Sequence, residues 1–170
     1  MPIDFNARPN VLPWPPLLFL LAFIAAIALG SVVPLRLDLP GAARAIGVVL
    51  VVGGLALYGW GVVTMGRAKT NMMPNRAADR LVDWGAFAVS RHPIYVGGAI
   101  AFLGLGFAAN DGWICLAALV VALAIDRFGM AREEAHLAAR FVDAWTRYAA
   151  RTPRWLGRGS LELLRGRSKT

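Results

Sequence analysis

AIGVVLVVGGLALYGWGVVTMG, residues 45–66, carries no charged side chain. A helix rises about 1.5 Å per residue, so this run reaches across a hydrocarbon core of about 30 Å. In lipid the backbone polar groups must be satisfied within the segment, which selects a helix. The rest of the chain reads outward from this span. Toward the N-terminus, Pro9 to Leu35 is also free of charge, and Pro13, Pro15 and Pro16 suit the entry of a helix. Toward the C-terminus, Pro93 to Asn110 forms a third apolar run and Gly112 to Ile125 a shorter fourth. The fourth reaches spanning length if its helix continues through Phe128 to Met130. Pro34 with Pro40-Gly41 marks one outer turn, and Asn110-Asp111-Gly112 another that makes the last two helices a hairpin. The expected fold is all-α: a bundle of four transmembrane helices at about 14–34, 45–66, 93–109 and 112–130. A cytoplasmic amphipathic helix follows at about 131–151, the whole of 1–170 forming one domain. Ala28 and Gly30 form a small-x-small pair of the kind that ends a signal sequence. The length of the run and Asp4 beside Arg8 favour a spanning helix instead.

Composition agrees. Hydrophobic residues make up 58% and charged residues 16%, far from the balance of soluble domains. The formal charge of +8 is unevenly placed: of 18 Lys and Arg residues, those from Arg67 to Arg91 and from Arg127 to Lys169 dominate. The positive-inside rule puts the 67–92 loop, the C-terminal tail and, with four spans, the N-terminus in the cytoplasm. The expected setting is the bacterial inner membrane, with the lipid bilayer as partner. Anionic headgroups account for the basic balance, so no nucleic acid is expected. Cys115 is the single cysteine, which excludes a disulfide framework and a thiolate metal site. It is expected to pack between helices.

Glycines at 53, 54, 59 and 61, and at 97, 98, 104 and 106, suggest close helix contacts. Beyond Met130, Leu137, Phe141, Ala144 and Tyr148 form a stripe at helical spacing, which Pro153 stops. Asp143 and Arg147 are spaced as a helix-surface ion pair. The tail from Gly157 to Thr170, with Leu161, Leu163 and Leu164, is expected to be loose or held at headgroups.

The polar residues able to do chemistry gather on the basic side. Arg91-His92-Pro93-Ile94-Tyr95 enters the third span, and each residue has an ordinary interfacial role. Glu133 and Glu134 are less ordinary. Positions four residues away are Gly129, Met130, Leu137 and Ala138, none of them basic, so neither carboxylate has the i, i+4 partner of an ordinary helix-surface pair. Their partners must come from elsewhere: Arg80, Arg91, His92 or Arg132, or a cationic ligand. Asp126 is either interfacial or intramembrane. His136 is expected on the helix surface. A Gly-rich phosphate loop, a paired-His or paired-Cys metal site and a nucleophile relay are all missing, so the expected metal is none.

Leu81-Val82-x-x-Gly85-x-Phe87 followed by Ser90-Arg91-His92-Pro93-x-Tyr95-x-Gly97 resembles the signature of the isoprenylcysteine carboxyl methyltransferases and their bacterial relatives. So does Glu133-Glu134-x-x-Leu137-x-x-x-Phe141, followed by Trp145, Tyr148 and Pro153-Arg154. The likeness runs from Lys69 to Trp155. It implies a membrane methyltransferase that uses S-adenosylmethionine, held by Arg80, Leu81, Val82, Phe87, His92, Pro93, Ile94, Tyr95, Gly97 and Glu133. Glu134, with Arg132 or Arg127, would serve catalysis. The family's acceptor-binding arginine, four residues before the first Glu, is Gly129 here, hence the choice of Arg132 or Arg127 to orient the acceptor. Val142 replaces a Gly and Trp145 a Tyr. The implied acceptor is a lipophilic or lipidated molecule, an isoprenylcysteine-like carboxylate by resemblance; a phospholipid amine or small thiol is the alternative. The oligomeric state stays open. A non-catalytic scaffold of the same fold is the reading from another class, opposed by the intact His92, Tyr95 and Glu133.

Overall fold

The computed structural model describes residues 14–69, 80–157 and 160. Every element among them is helical: α1 Trp14–Val32, α2 Gly41–Ala68, α3 Ala86–Val89, α4 Pro93–Ala109, α5 Gly112–Ala124, a π-helical stretch Ile125–Met130 and α6 Ala131–Arg151. α1, α2 and the continuous helix Gly112–Arg151 are long and apolar enough to cross a membrane, and α4 is a shorter apolar helix. Their outer faces are apolar and open, as at Leu21, Val49, Val52 and Leu123. That surface belongs in lipid, and the protein is an integral membrane protein.

α2 is longer at both ends than its charge-free run, because Arg44 and Arg67 can sit in terminal turns that reach the interface. α1 stops at Val32, just before Val33, whose helical conformation Pro34 disfavours. The outer turns then close on each other. The Gly112 amide donates to the Leu35 carbonyl at 2.8 Å, and Trp113 Nε1 to the Val33 carbonyl at 2.7 Å. Asn110 takes the left-handed conformation that ends α4, and Asp111 caps α5 through the Ile114 amide at 3.1 Å.

α4 is the wedge of the bundle. A Cβ on Gly54 would lie 2.5 Å from the Ala101 nitrogen, one on Gly97 2.6 Å from the Gly54 oxygen, and one on Gly104 2.7 Å from the Gly47 oxygen. Glycines at 47, 54 and 61 on α2 and at 97 and 104 on α4 thus make one seam of close contact. Gly53 and Gly59, expected to share it, have nothing within 4 Å, since they point off the seam. On the far side of α4, Phe19 and Phe23 of α1 meet Phe102 edge-on, 5.9 and 6.2 Å between ring centres. Gly106 lies against Cys115, so the cysteine does pack between helices.

α5 runs without a break through the π stretch into α6, which is distorted at Val142 (φ 21°, ψ −91°). The distortion changes which face is buried. Leu137 and Phe141 are half-buried and Tyr148 is buried as expected from the stripe, but Ala144 is exposed and Trp145 takes its place. Asp143 and Arg147 are both exposed and form no ion pair with each other among the described residues. Of the tail, Ser160 is buried and hydrogen-bonds the Val89 carbonyl, so the chain is docked there rather than loose. Leu161, Leu163 and Leu164 lie outside the described residues.

Candidate functional site

The site begins at the connection from α2 to α4. Gly85 has φ +61°, a conformation open to glycine, and a Cβ there would lie 2.8 Å from Thr64 Oγ1. This lets the chain press onto α2 and turn into the short α3. Ser90 is extended and buried. Its hydroxyl accepts from the His92 amide at 3.1 Å and donates to the Arg154 carbonyl at 2.8 Å. Pro93 then opens α4, where its missing N–H costs nothing.

The chain returns to this point after α6. The Arg91 amide donates to the Pro153 carbonyl at 2.9 Å, Tyr148 Oη to the Phe87 carbonyl at 2.8 Å, and Arg151 pairs with Asp83. The chain from Thr152 to Gly157, with Ser160, therefore lies as a strap across the entry to α4.

Glu134 is the junction of the two blocks. His92 Nε2 lies 3.2 Å from its Oε1, and Arg91 Nη1 also 3.2 Å from Oε1. Arg154 grips it bidentately, Nε to Oε1 at 3.0 Å and Nη2 to Oε2 at 2.7 Å. Burial opposes the charge on Glu134, but the hydrogen bonds from His92 and Arg154 and the charges beside it win, bringing its pKa from 4.5 down to about 2. Arg154 is pushed up in turn by its hydrogen bond to Glu134. Arg154 Nη1 also reaches Asp126 Oδ1 at 3.4 Å, where Trp155 Nε1 donates at 2.8 Å, so Asp126 serves the strap.

The ionised Glu134 only accepts, so His92 Nε2 carries the hydrogen. The other ring nitrogen, Nδ1, faces Glu133 Oε2 at 3.8 Å. Glu133 Oε2 is buried with no hydrogen-bond partner among the described residues, as is Arg91 Nε. A carboxylate oxygen and a guanidinium donor, both buried without partners among the described residues, thus lie on either side of the His92 ring and could meet a ligand that bears both a donor and an anion. Tyr95 stacks on His92, ring centres 5.8 Å apart, and the Arg91 guanidinium lies 5.7 Å from the centre of the Trp145 ring.

His92, Tyr95, Glu133 and Glu134 are thus brought together, with Arg91. Pro93 is fully buried at the start of α4, and Ile94 packs against Gly61. Gly97 faces α2, where its missing side chain serves helix contact. Phe87 is half-buried and held through its carbonyl. Arg80, Leu81 and Val82 line an open cleft of about 450 Å³ with Arg67, Ala68, Lys69 and Trp84. Arg127 and Arg132 are exposed and stand outside the ion cluster. His136, expected on the surface, is buried with Nε2 unpartnered, and burial lowers its pKa. Ser90, Arg154 and Trp155 are the residues whose partnerships the sequence left hidden. The Pro153-Arg154 pair was the one available sign, and the return of the strap gives it meaning. No group of three or more His, Cys, Asp or Glu side chains that could hold a metal occurs among the described residues.

Compared with known proteins, residues 42–144 match the phospholipid methyltransferase family. The nickel-cobalt-cadmium resistance protein NccN of Alcaligenes xylosoxydans xylosoxydans is 33% identical over 108 residues, covering 63% of this chain and 50% of its own length. The cobalt-zinc-cadmium resistance protein CzcN of Cupriavidus metallidurans is 32% identical over 115 residues, 67% of this chain and 52% of its own. The chain spans about half the length of these curated relatives. No solved structure matches it.

Proposed function

The chain belongs to the phospholipid methyltransferase family, and from that premise we propose that it is an S-adenosylmethionine-dependent methyltransferase acting on a lipophilic acceptor in the membrane. The observation that carries this reading is the polar gap at His92, where Glu133 Oε2 and Arg91 Nε are buried without partners among the described residues. The amino-acid end of S-adenosylmethionine has the matching pair of groups. His92 Nδ1 and Glu133 Oε2 would accept from its ammonium, and Arg91 Nε would donate to its carboxylate. When bound, the cofactor supplies an electrophilic methyl group on a cationic sulfonium. Tyr95 and Phe87 are the aromatic side chains proposed to face that cation. Arg80, Leu81 and Val82 on one side and Pro93 and Ile94 on the other complete the cofactor set. Gly97 belongs to it as the glycine that lets α4 sit against α2.

Glu134 is saturated by His92, Arg91 and Arg154 and ionised over the whole neutral range. Its part is to hold His92 in one tautomer and Arg91 in one position. Arg132, or Arg127, remains to orient the acceptor. A carboxylate acceptor is ionised already and needs no base. An amine or thiol must first lose a proton, so its methylation would rise with pH through the acceptor's own pKa. The isoprenylcysteine-like carboxylate follows from the first resemblance, and the family match weighs toward a phospholipid amine. Four spans, both termini in the cytoplasm and a bacterial inner membrane complete the proposal, supported by the placement of Lys and Arg.

The test is calorimetric titration of the detergent-purified protein with S-adenosylmethionine, with His92→Ala and Glu133→Ala alongside. Saturable binding weakened about tenfold or more by each substitution is expected, the scale of one lost charge-assisted contact. A folded native protein that binds no cofactor would end this reading and leave a scaffold of the same fold.

A further inference from the structure

The cleft of about 450 Å³ between the end of α2 and the 80–84 segment has a chemistry of its own. Arg67, Lys69 and Arg80 line it, and among the described residues no carboxylate does. All three are exposed, and their side chains make no hydrogen bond or ion pair with other described residues. Asp79 directly precedes Arg80 in the sequence and lies outside the described residues, and Asp83, the nearest described acid, is taken by Arg151 on the far side of the connection. Three cations around one concavity repel each other, and an anion relieves the repulsion.

The position of the cleft says which anion. α2 has 28 residues and is about 42 Å long, more than a hydrocarbon core of about 30 Å. Its last turn, with Arg67 and then Lys69, therefore emerges at the level of the lipid headgroups. Trp84, 44% exposed on the rim, is the side chain that prefers that depth.

We propose that Arg67, Lys69 and Arg80 bind the phosphate of an anionic membrane lipid, as a fixed headgroup site and not as the methyl acceptor. The 80–84 segment forms one wall, and the same chain continues through Gly85, docked on Thr64, into α3 and His92. The site is independent of the reaction: it holds lipid whether or not the chain transfers methyl groups.

Native mass spectrometry of the full chain, offered equal amounts of phosphatidylglycerol, phosphatidylethanolamine and phosphatidylcholine, is the experiment. Preferential retention of phosphatidylglycerol is expected, and Arg67→Gln/Lys69→Gln should lower that retention about thirtyfold, since one basic residue near an anionic headgroup contributes about five- to sixfold. Both residues are exposed, and an unchanged melting midpoint of the double variant will show that it folds. Retention equal to that of the native chain, or no preference over phosphatidylethanolamine, overturns the site. Complete displacement of the lipid by millimolar inorganic phosphate overturns its assignment to lipid in favour of a free anion. Titration of the same variant with S-adenosylmethionine separates the two ideas: unchanged affinity is expected, and a loss parallel to that of lipid would give the cleft to the cofactor's carboxylate instead.

Discussion

Glu134 gathers two arginines and a histidine from separate parts of the chain around one buried carboxylate. Its folded-state pKa, about 2, lies below the ordinary 4.5. The folded protein therefore binds this proton more weakly than the unfolded chain, and the stabilisation is complete above about pH 4.5 and fades as pH falls toward about 2. A melting series in detergent should show the midpoint dropping through that window. Glu134→Gln should remove much of that dependence and cost about 3 kcal/mol at neutral pH, because it strands buried cations. Arg154→Gln should cost less, roughly 1 kcal/mol, since its side chain is 33% exposed and can be screened by water. An acid transition of unaltered depth in Glu134→Gln would show that another group governs it. The sequence made part of this visible: a Glu-Glu pair without a basic i, i+4 partner on its helix must find partners elsewhere, and Arg91 and His92 were among those at hand. Arg154 was not, because a distorted helix and a turn separate it from Glu134, and no local spacing rule reaches that far.

At the scale of elements, charge-free runs located the spanning helices because stripping water from a charge is so costly in lipid. Their rotation was hidden for the same reason. A helix that is apolar all round gives no amphipathic contrast between its packed and lipid-facing sides. Gly53 and Gly54 are neighbours in sequence, yet one meets nothing within 4 Å and the other lies in the α2–α4 seam. Gly54→Ala and Gly97→Ala should each lower stability by about 1–3 kcal/mol, the usual range for overpacking, through clashes with backbone that cannot move aside. Gly53→Ala should leave the melting midpoint unchanged. Equal effects at 53 and 54 would contradict the seam.

The whole molecule is closed by its strap. It brings Arg154 to Glu134 and Asp126, Trp155 to Asp126 and Ser160 to the Val89 carbonyl. A chain ending at Arg151 should keep the helical content of the bundle by circular dichroism and lose its affinity for S-adenosylmethionine. Retained affinity would show that the His92 gap is held without the strap. This closure lies beyond reading from composition, because a short polar segment looks alike whether docked or solvated. The π stretch at Ile125–Met130 has a consequence of another sort. A π turn takes up one residue more than an α turn, and one residue of helix is about 100° of rotation. The stretch works like a half-step in a gear train: it lets the lipid-facing teeth of α5 and the inward carboxylates of α6 run on one shaft at different phases. A one-residue deletion there, however conservative in composition, would turn Glu133 and Glu134 out of mesh with His92.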